Sequence, residues 1–380
     1  MRSFNSVTVD LASHTADVGS GGRLGNIALA LYSQGKQAMS HGTCPGVGVG
    51  GLSLHGGYGM ISRLKGLTLD NLVSANVVLA DSTVVTASAT QNSDLYWSLR
   101  GAGAAFGIVT SFKFKTFDAP ESNLVFSYNL TPTNTSTMAN MLSILQNFTM
   151  YTQPPELNMR VFIPNQFTGV YYGNRTEFNK IMNPLLTQLG VPLTGRGAGT
   201  NTTKGWIDTL LSNSNGALQQ PEIYTYQENF YAKSLMPDYL PPAALTALAD
   251  YYYTVARNVR RGNWYLLIDM HGGSKSAISK VSADATAYVH RNAIFKMQFN
   301  DRVYGDYKPE YFDFLNDWVK VIENASSGAK FGMYINYADT NLTKAEAHTR
   351  YWKGNYERLV GVKSKFDPGK VFEGPQLVGS

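Results

Sequence analysis

The sequence predicts an α+β protein of two domains, and three observations carry that prediction. The chain has 380 residues, more than one hydrophobic core ordinarily serves. Its composition changes near residue 123, from a glycine-rich first part to a middle rich in Asn, Thr and Tyr. Strand-like and helix-like runs then follow one another without a strict βαβ rhythm, which argues for an antiparallel sheet covered by helices on one face. With 43% hydrophobic and 16% charged residues the chain is not disordered. The formal charge of +5 comes from scattered basic residues, and a cluster as short as Arg257, Arg260 and Arg261 is too brief for a nucleic-acid tract. No run of about 18 apolar residues offers a membrane helix.

The elements follow in order. FNSVTVD alternates as a strand, ADVGSGGRLG is a strand entering a glycine turn, and NIALALYSQG is an apolar helix. From His41 to Gly59 runs HGTCPGVGVGGLSLHGGYG, in which Cys44 is followed by glycines at 46, 48, 50, 51, 56, 57 and 59. Such density means a backbone that turns repeatedly and admits a close neighbour, with a flat or phosphorylated ligand as the natural guest. MISRLKGLTLDNL reads as loop and short helix, and LVSANVVLADSTVVTAS as a hairpin about Ala80-Asp81-Ser82-Thr83. DLYWSLRGAGAAFGIVTSFKFKTF reads as helix, glycine turn, strand. In the middle, TMANMLSILQNFTMYT, EFNKIMNPLLTQLG and AALTALADYYYTVARNV carry helical spacing, whereas LNMRVFIP, TGVYYG, WYLLIDMHG and AIFKMQFN read as strands. NYERLVGVKSKFDPGKVFEGPQ is a helix stopped by Asp367-Pro368-Gly369 and a short tail.

Cys44 is the only cysteine, so no internal disulfide is expected. By residue type it is a buried small hydrophobe; fixed by Pro45 on a glycine-lined surface, it is equally a thiol able to bond to an electrophilic ring. Asp269 ends the apolar run Tyr265 to Ile268 and needs a partner or a turn to cap, and Gly272-Gly273 supplies such a turn. The tyrosines of YINYAD fit a half-buried strand as well as a site. No metal-ligand spacing occurs. Asn129, Asn134, Asn147, Asn174, Asn201, Asn324 and Asn341 each open an Asn-x-Ser/Thr triplet, so a secreted glycoprotein is expected, although MRSFNSVTVD lacks the apolar core of a signal peptide.

The segment TCPGVGVGGLSLHGGYG resembles the flavin-contacting loop of the berberine-bridge-enzyme-like (BBE-like) FAD-linked oxidases, in the vanillyl-alcohol-oxidase or PCMH-type FAD-binding class, with the fungal gluco- and chito-oligosaccharide oxidases as the most similar subgroup. The likeness continues through GLTLDNLVSANVVLADSTVV, DLYWSLRGAGAAFGIVTSFKFKT, FYAKSL, YINYAD and NYERLVGVKSKFDPGKVFEGPQ, in family order over nearly the whole chain. It implies a PCMH-type FAD-binding domain, entered partway and thus incomplete at its N-terminus, over residues 1–122, a substrate domain over 123–340, and a return to the FAD domain over 341–380. Met1 is then a truncation or a misassigned start, and the family's pyrophosphate loop and a second, histidyl flavin link have no counterpart here. The resemblance makes Cys44 the 6-S-cysteinyl tether, with Val47, Gly48, Gly50, Gly51, Gly56, Gly57, Tyr58, Ile108, Val109, Asn355 and Tyr356 around FAD. It makes Tyr337 the base that takes the hydroxyl proton, Asp269 the carboxylate that accepts the phenol's proton, and Tyr334 and Gln298 substrate contacts.

The implied reaction is hydride transfer from an alcohol or hemiacetal carbon, such as an oligosaccharide reducing end, to covalently bound flavin, with oxygen as acceptor, in a monomer. A tyrosine with an ordinary pKa near 10 needs help to act as base. Two departures stand out: Leu52 where the family usually has His, and Leu267 where carbohydrate oxidases often have Gln. The latter removes a sugar hydrogen bond worth about 1 to 3 kcal/mol if its partner stays buried. Two rivals remain: a secondary-metabolite oxidase or cyclase on the same fold, and a flavin-free remnant that binds saccharide.

Overall fold

The computed structural model describes residues 1–380 except 215, 222, 224–226, 330 and 380. It holds two large antiparallel sheets and a two-stranded one that pairs Gln37–Ala38 with Phe117–Asp118. The first has five strands in the order Val7–Asp10, Thr15–Gly19, Ile108–Lys115, Leu72–Val78 and Val84–Ser88. The expected hairpin supplies its last two strands, Ser74 facing Ser88 and Val78 facing Val84. Strand Thr15–Gly19 alternates so that Ala16 and Val18 are buried. The helix Leu24–Ser33 buries Leu24, Ile27, Ala28 and Leu31, the i, i+3, i+4, i+7 set of an amphipathic helix. Within the glycine-dense stretch, Val49–Leu54 wind into a short helix where repeated turns were expected.

The second sheet has seven strands in the order Thr200–Lys204, Asn123–Asn129, Gln166–Tyr171, Leu157–Phe162, Gly262–Met270, Phe295–Val303 and Asn229–Leu235. Its two faces differ because side chains alternate along a strand. On one face Phe126 meets Phe178 of the helix Arg175–Gln188, and Phe299 meets Trp318 of the helix Phe312–Asn324. The helices Thr135–Tyr151 and Pro242–Thr254 pack together, and their buried residues, Leu142 and Leu248 among them, belong to the same core. The helix Phe312–Asn324 buries Phe314, Leu315, Trp318, Val319 and Ile322.

The other face carries what the catalytic reading needs. Register pairs Asp269 with Lys296 on one side and with Arg160 on the other, and Leu267 with Gln298 and Phe162. These side chains therefore share the face opposite the helices. The C-terminal helix Tyr356–Phe366 ends where Asp367 accepts the backbone N–H groups of Val371 and Phe372. That is the stop its Asp-Pro-Gly sequence predicts. Arg291, beyond the strand Gly262–Met270, makes a two-point ion pair with Asp70 at 2.8 and 2.9 Å, and this buried contact joins the substrate sheet's loops to the first sheet's segment. Among the described residues no helix is long and apolar enough to cross a membrane, and no group of three His, Cys, Asp or Glu could hold a metal.

Candidate active site

One wall is the glycine segment. Arg23 and Gly48 form an antiparallel bridge, Val49 N–H donates to the Gly22 carbonyl at 3.0 Å, and Arg23 donates to the Gly46 carbonyl at 2.9 Å. The turn after strand Thr15–Gly19 and the glycine segment thus make one layer. Ser20 N–H donates to the Thr110 carbonyl at 3.1 Å, which adds the start of strand Ile108–Lys115. Along this layer Cys44 is exposed, Val47 and Ile108 stand 38% and 47% open, and a Cβ built on Gly48 or Gly51 would meet nothing within 4 Å. Ser20 Oγ, Ser53 Oγ and His55 Nε2 are buried there without a hydrogen-bond partner. Bare backbone, open apolar side chains and unsatisfied buried polar atoms together fit a flat group with polar edges. The residues present therefore suit FAD, which Ser20, Cys44, Val47, Gly48, Gly51 and Ile108 would hold, whereas Val109 is buried in the core and Gly50 lies against the Ser20 carbonyl.

Three other expected cofactor contacts lie behind this shelf. Gly57 N–H donates to the Tyr334 hydroxyl at 2.9 Å, and Gly57 carbonyl accepts from Thr68. Tyr58 is buried, with its hydroxyl donated to Asn158 Oδ1 at 2.9 Å and its ring stacked on His271 at 5.5 Å. Gly56 carries Tyr334 against it. Gly56, Gly57 and Tyr58 thus brace the segment from below instead of facing its open side. Asn355 spends its amide on the carbonyls of Ala283 and Thr286, and Tyr356 stacks on His348 at 4.1 Å. The Asn355 side chain thus ties the start of the C-terminal helix to the 283–286 loop, and the Tyr356 ring packs against the helix Lys344–Trp352.

The facing wall is built on the substrate sheet. Asp269, 1% exposed, pairs with Lys296 Nζ at 2.6 Å and with Arg160 Nε at 2.9 Å. Lys296 Nζ donates to the Tyr337 hydroxyl at 2.9 Å. The ammonium also lies 4.6, 4.8 and 5.5 Å from the ring centres of Tyr337, Tyr58 and Tyr334, a cage that replaces water with aromatic faces. Tyr337 and Asp269 are thus joined through Lys296. The expected direct contact between phenol and carboxylate is absent, because the lysine side chain fills the space between them.

Charge in this cluster sums to +1 from Arg160, Asp269 and Lys296. Burial pushes the Tyr337 phenol well above its usual range, Asp269 adds to the rise, and Arg160 opposes it. The resting phenol is therefore neutral, and the cation on its oxygen stabilises the negative charge that forms there on proton loss. The two walls meet at Arg160. Its Nη2 donates to Thr43 Oγ1 at 3.2 Å, so the residue before Cys44 touches the sheet face that carries Asp269, here the cleft face.

Tyr334 is not a substrate platform. It is 3% exposed, and its hydroxyl accepts hydrogen bonds from Gly57 N–H and Asn336 Nδ2, so it ties the turn Ile335–Tyr337 to the glycine segment. Gln298 lies half-buried on the cleft face, beside Leu267 and Ser234 in register. Residues the sequence reading missed are Lys296, Arg160 and Tyr265, whose ring packs edge-on to Phe162 at 6.0 Å on the same face. Burial pushes the Tyr265 phenol up to about 12. A signal for two of them existed: LNMRVF, LLIDM and FKMQF each carry a lone charge within an apolar strand.

An exposed cysteine on a bare main-chain shelf and a tyrosine held by a buried lysine, with Arg160 linking the two walls, fit one class: a flavin-dependent oxidoreductase. The FAD binding domain family pattern matches residues 1–88, and the pattern described as Berberine and berberine like matches residues 333–379. The xylooligosaccharide oxidase of Thermothelomyces thermophilus is 42% identical over 99% of this chain and 76% of its own length, and the glucooligosaccharide oxidase of Sarocladium strictum 41% over 96% and 74%. Among solved structures, xylooligosaccharide oxidase from Myceliophthora thermophila C1 in complex with xylobiose superposes with a TM-score of 0.93, at 40% identity over 99% of this chain and 80% of that one. Acremonium strictum glucooligosaccharide oxidase, with 6-S-cysteinyl, 8α-N1-histidyl FAD, superposes with a TM-score of 0.94, at 38% identity over 100% of this chain and 81% of that one. The chain belongs to the berberine-bridge-enzyme-like family of FAD-dependent oxidases. It is an FAD-linked oxidoreductase with the PCMH-type fold.

Proposed function

We propose that the chain oxidises the reducing-end hemiacetal of an oligosaccharide, with oxygen as the final acceptor and Cys44 as a covalent tether to FAD. The carrying observation is the Lys296 ammonium held between the Asp269 carboxylate and the Tyr337 hydroxyl. Bound FAD supplies the hydride acceptor. Tyr337 removes the substrate's hydroxyl proton as the hydride leaves, and Lys296 stabilises the negative charge on the phenol oxygen that this role requires. Asp269 fixes the lysine, and Arg160 compensates the carboxylate on its other oxygen. Gln298, whose amide makes no hydrogen bond to another described residue, is free to bind a sugar hydroxyl beside Tyr337. Leu267 and Phe162 make the neighbouring wall apolar, which favours a ring presenting fewer hydroxyls on that side. The fungal relatives support a secreted protein, and the sequons agree.

The test has two parts. After acid denaturation, yellow colour should stay with the protein and be lost in Cys44→Ala. Xylo-, gluco- and chito-oligosaccharides should then release hydrogen peroxide; silence with all three in flavin-loaded protein would exclude the saccharide reading.

A further inference from the structure

The catalytic phenol sits on a single short turn, Ile335–Tyr337, and such a turn does not hold a side chain in place by itself. Upstream it is fixed to the cleft side of the strand Asn229–Leu235: Tyr334 N–H donates to Ser234 Oγ at 2.7 Å. Two residues downstream the chain has passed round the edge of that strand. There Asp339, 1% exposed, pairs with Lys233 on the helix side of the sheet. The same carboxylate accepts from the Tyr231 hydroxyl and from Asn341 N–H at 3.0 Å. Asp339 N–H donates to the Tyr351 hydroxyl at 3.0 Å, and its carbonyl accepts from Gln376 Nε2 at 2.7 Å. Lys233 is completed by Asn316 Oδ1 at 2.9 Å. Every polar atom of Asp339 thus has a partner, drawn from the sheet, the helix Lys344–Trp352 and the C-terminal tail.

We propose that Lys233 and Asp339 are positioning residues for Tyr337: their buried ion pair, on the far face of the edge strand, sets where the phenol stands relative to Lys296. The proposal rests on the reading that Tyr337 takes the substrate's proton. A buried pair is a weak source of net stability and a good source of geometric specificity. The strand clamps the turn from both faces, Ser234 on one and Lys233 on the other. The phenol can then shift only if the clamp opens. Displacing a catalytic group by about 1 Å can cost about 100-fold in rate.

The test uses the neutral double variant Lys233→Met with Asp339→Asn, which leaves no unpaired buried charge and keeps the acceptor for Tyr231 and Asn341. In the full chain without flavin, hydrogen exchange in segment 334–341, which includes the Tyr337 N–H bonded to the Tyr334 carbonyl, should speed up, while strand Gly262–Met270 stays protected. In flavin-loaded protein, kcat per bound flavin should fall by up to about 100-fold with KM unchanged. If either readout stays at the wild-type value, the proposal is overturned. Should the double variant not fold, Tyr351→Phe, which removes the acceptor for Asp339 N–H and the hydroxyl's own bond to Gln376 Oε1 at 3.2 Å, is read the same way. Tyr337→Phe is measured alongside: if it alone leaves kcat intact, the base assignment fails; a crippled Tyr337→Phe beside an unaffected double variant sinks the positioning role only.

Discussion

At the scale of single residues, the decisive relation is one phenol oxygen beside one ammonium. Because burial and Asp269 hold the Tyr337 phenol above its usual range, the competent phenolate gains population as pH rises. Activity per bound flavin should therefore climb through the alkaline range, and a profile that is flat or falls above pH 8 would contradict the assignment. Tyr337→Phe should lower kcat by about 100- to 10,000-fold, the usual worth of a positioned base. Lys296→Met takes the positive charge off the phenol oxygen, so it should move the rising limb to still higher pH and cut kcat at pH 8 about tenfold or more. A pH–rate series on both proteins checks this. Tyr337 and Asp269 stand out in the sequence as candidates, marked by a family motif and by an acid inside an apolar run. Lys296 and Arg160 were not placed, because their meeting with Asp269 depends on strand register, which the alternation of side chains does not reveal.

At the scale of elements, the cleft depends on a glycine that has no room for a side chain. Gly56 lies at φ +148°, and a Cβ there would stand 2.5 Å from Tyr334 Cε2 and 2.7 Å from its hydroxyl. Gly56→Ala must therefore push the strut off Gly57 N–H, costing about 1 to 3 kcal/mol through strain and overpacking. Urea denaturation should show the lowered midpoint, and kcat should fall with it because the strut carries the base's turn. An unchanged midpoint would mean that Tyr334 moves freely. Most elements with a clear period were legible, among them the helix at Thr135–Tyr151 and the strand at Gly262–Met270. The helix Val49–Leu54 was not, since glycine in a helix costs about 1 kcal/mol and only tertiary packing of Val49 and Leu54 overrides that preference. The helix Phe312–Asn324 went unread although its apolar residues fall at 314, 315, 318, 319 and 322, whereas the edge strand Thr200–Lys204, all polar, offers no pattern to read.

At the scale of the whole molecule, the two sheets are joined around a set of buried neutral histidines, and this makes the junction sensitive to acid. His41 and His55 belong to the glycine segment; His271 links the Ala293 carbonyl to the Tyr288 hydroxyl, and His290 stands edge-on to Tyr288 at 5.4 Å. Burial lowers the pKa of all four, His290 to about 3, with the Lys353 charge adding to that shift. The unfolded chain takes up these protons near pH 6.5, while the folded chain resists until lower pH. The unfolded state therefore binds more protons in between, and stability must rise with pH across that window and be lost as pH falls from 6.5 toward the folded values. Each such histidine costs at most about 1.4 kcal/mol per pH unit. Between pH 6.5 and 5.5 carboxylates such as Asp367, whose pKa the fold lowers, stay ionised in the folded and the unfolded chain alike, so the loss in that interval belongs to the histidines. Urea unfolding at half-unit steps over this range should show the slope. His290→Leu should flatten it by up to about 1.4 kcal/mol per unit, because an apolar side chain of similar bulk leaves no proton to bind. A slope identical to wild type would show that His290 is already protonated in the fold and that the junction opens for another reason.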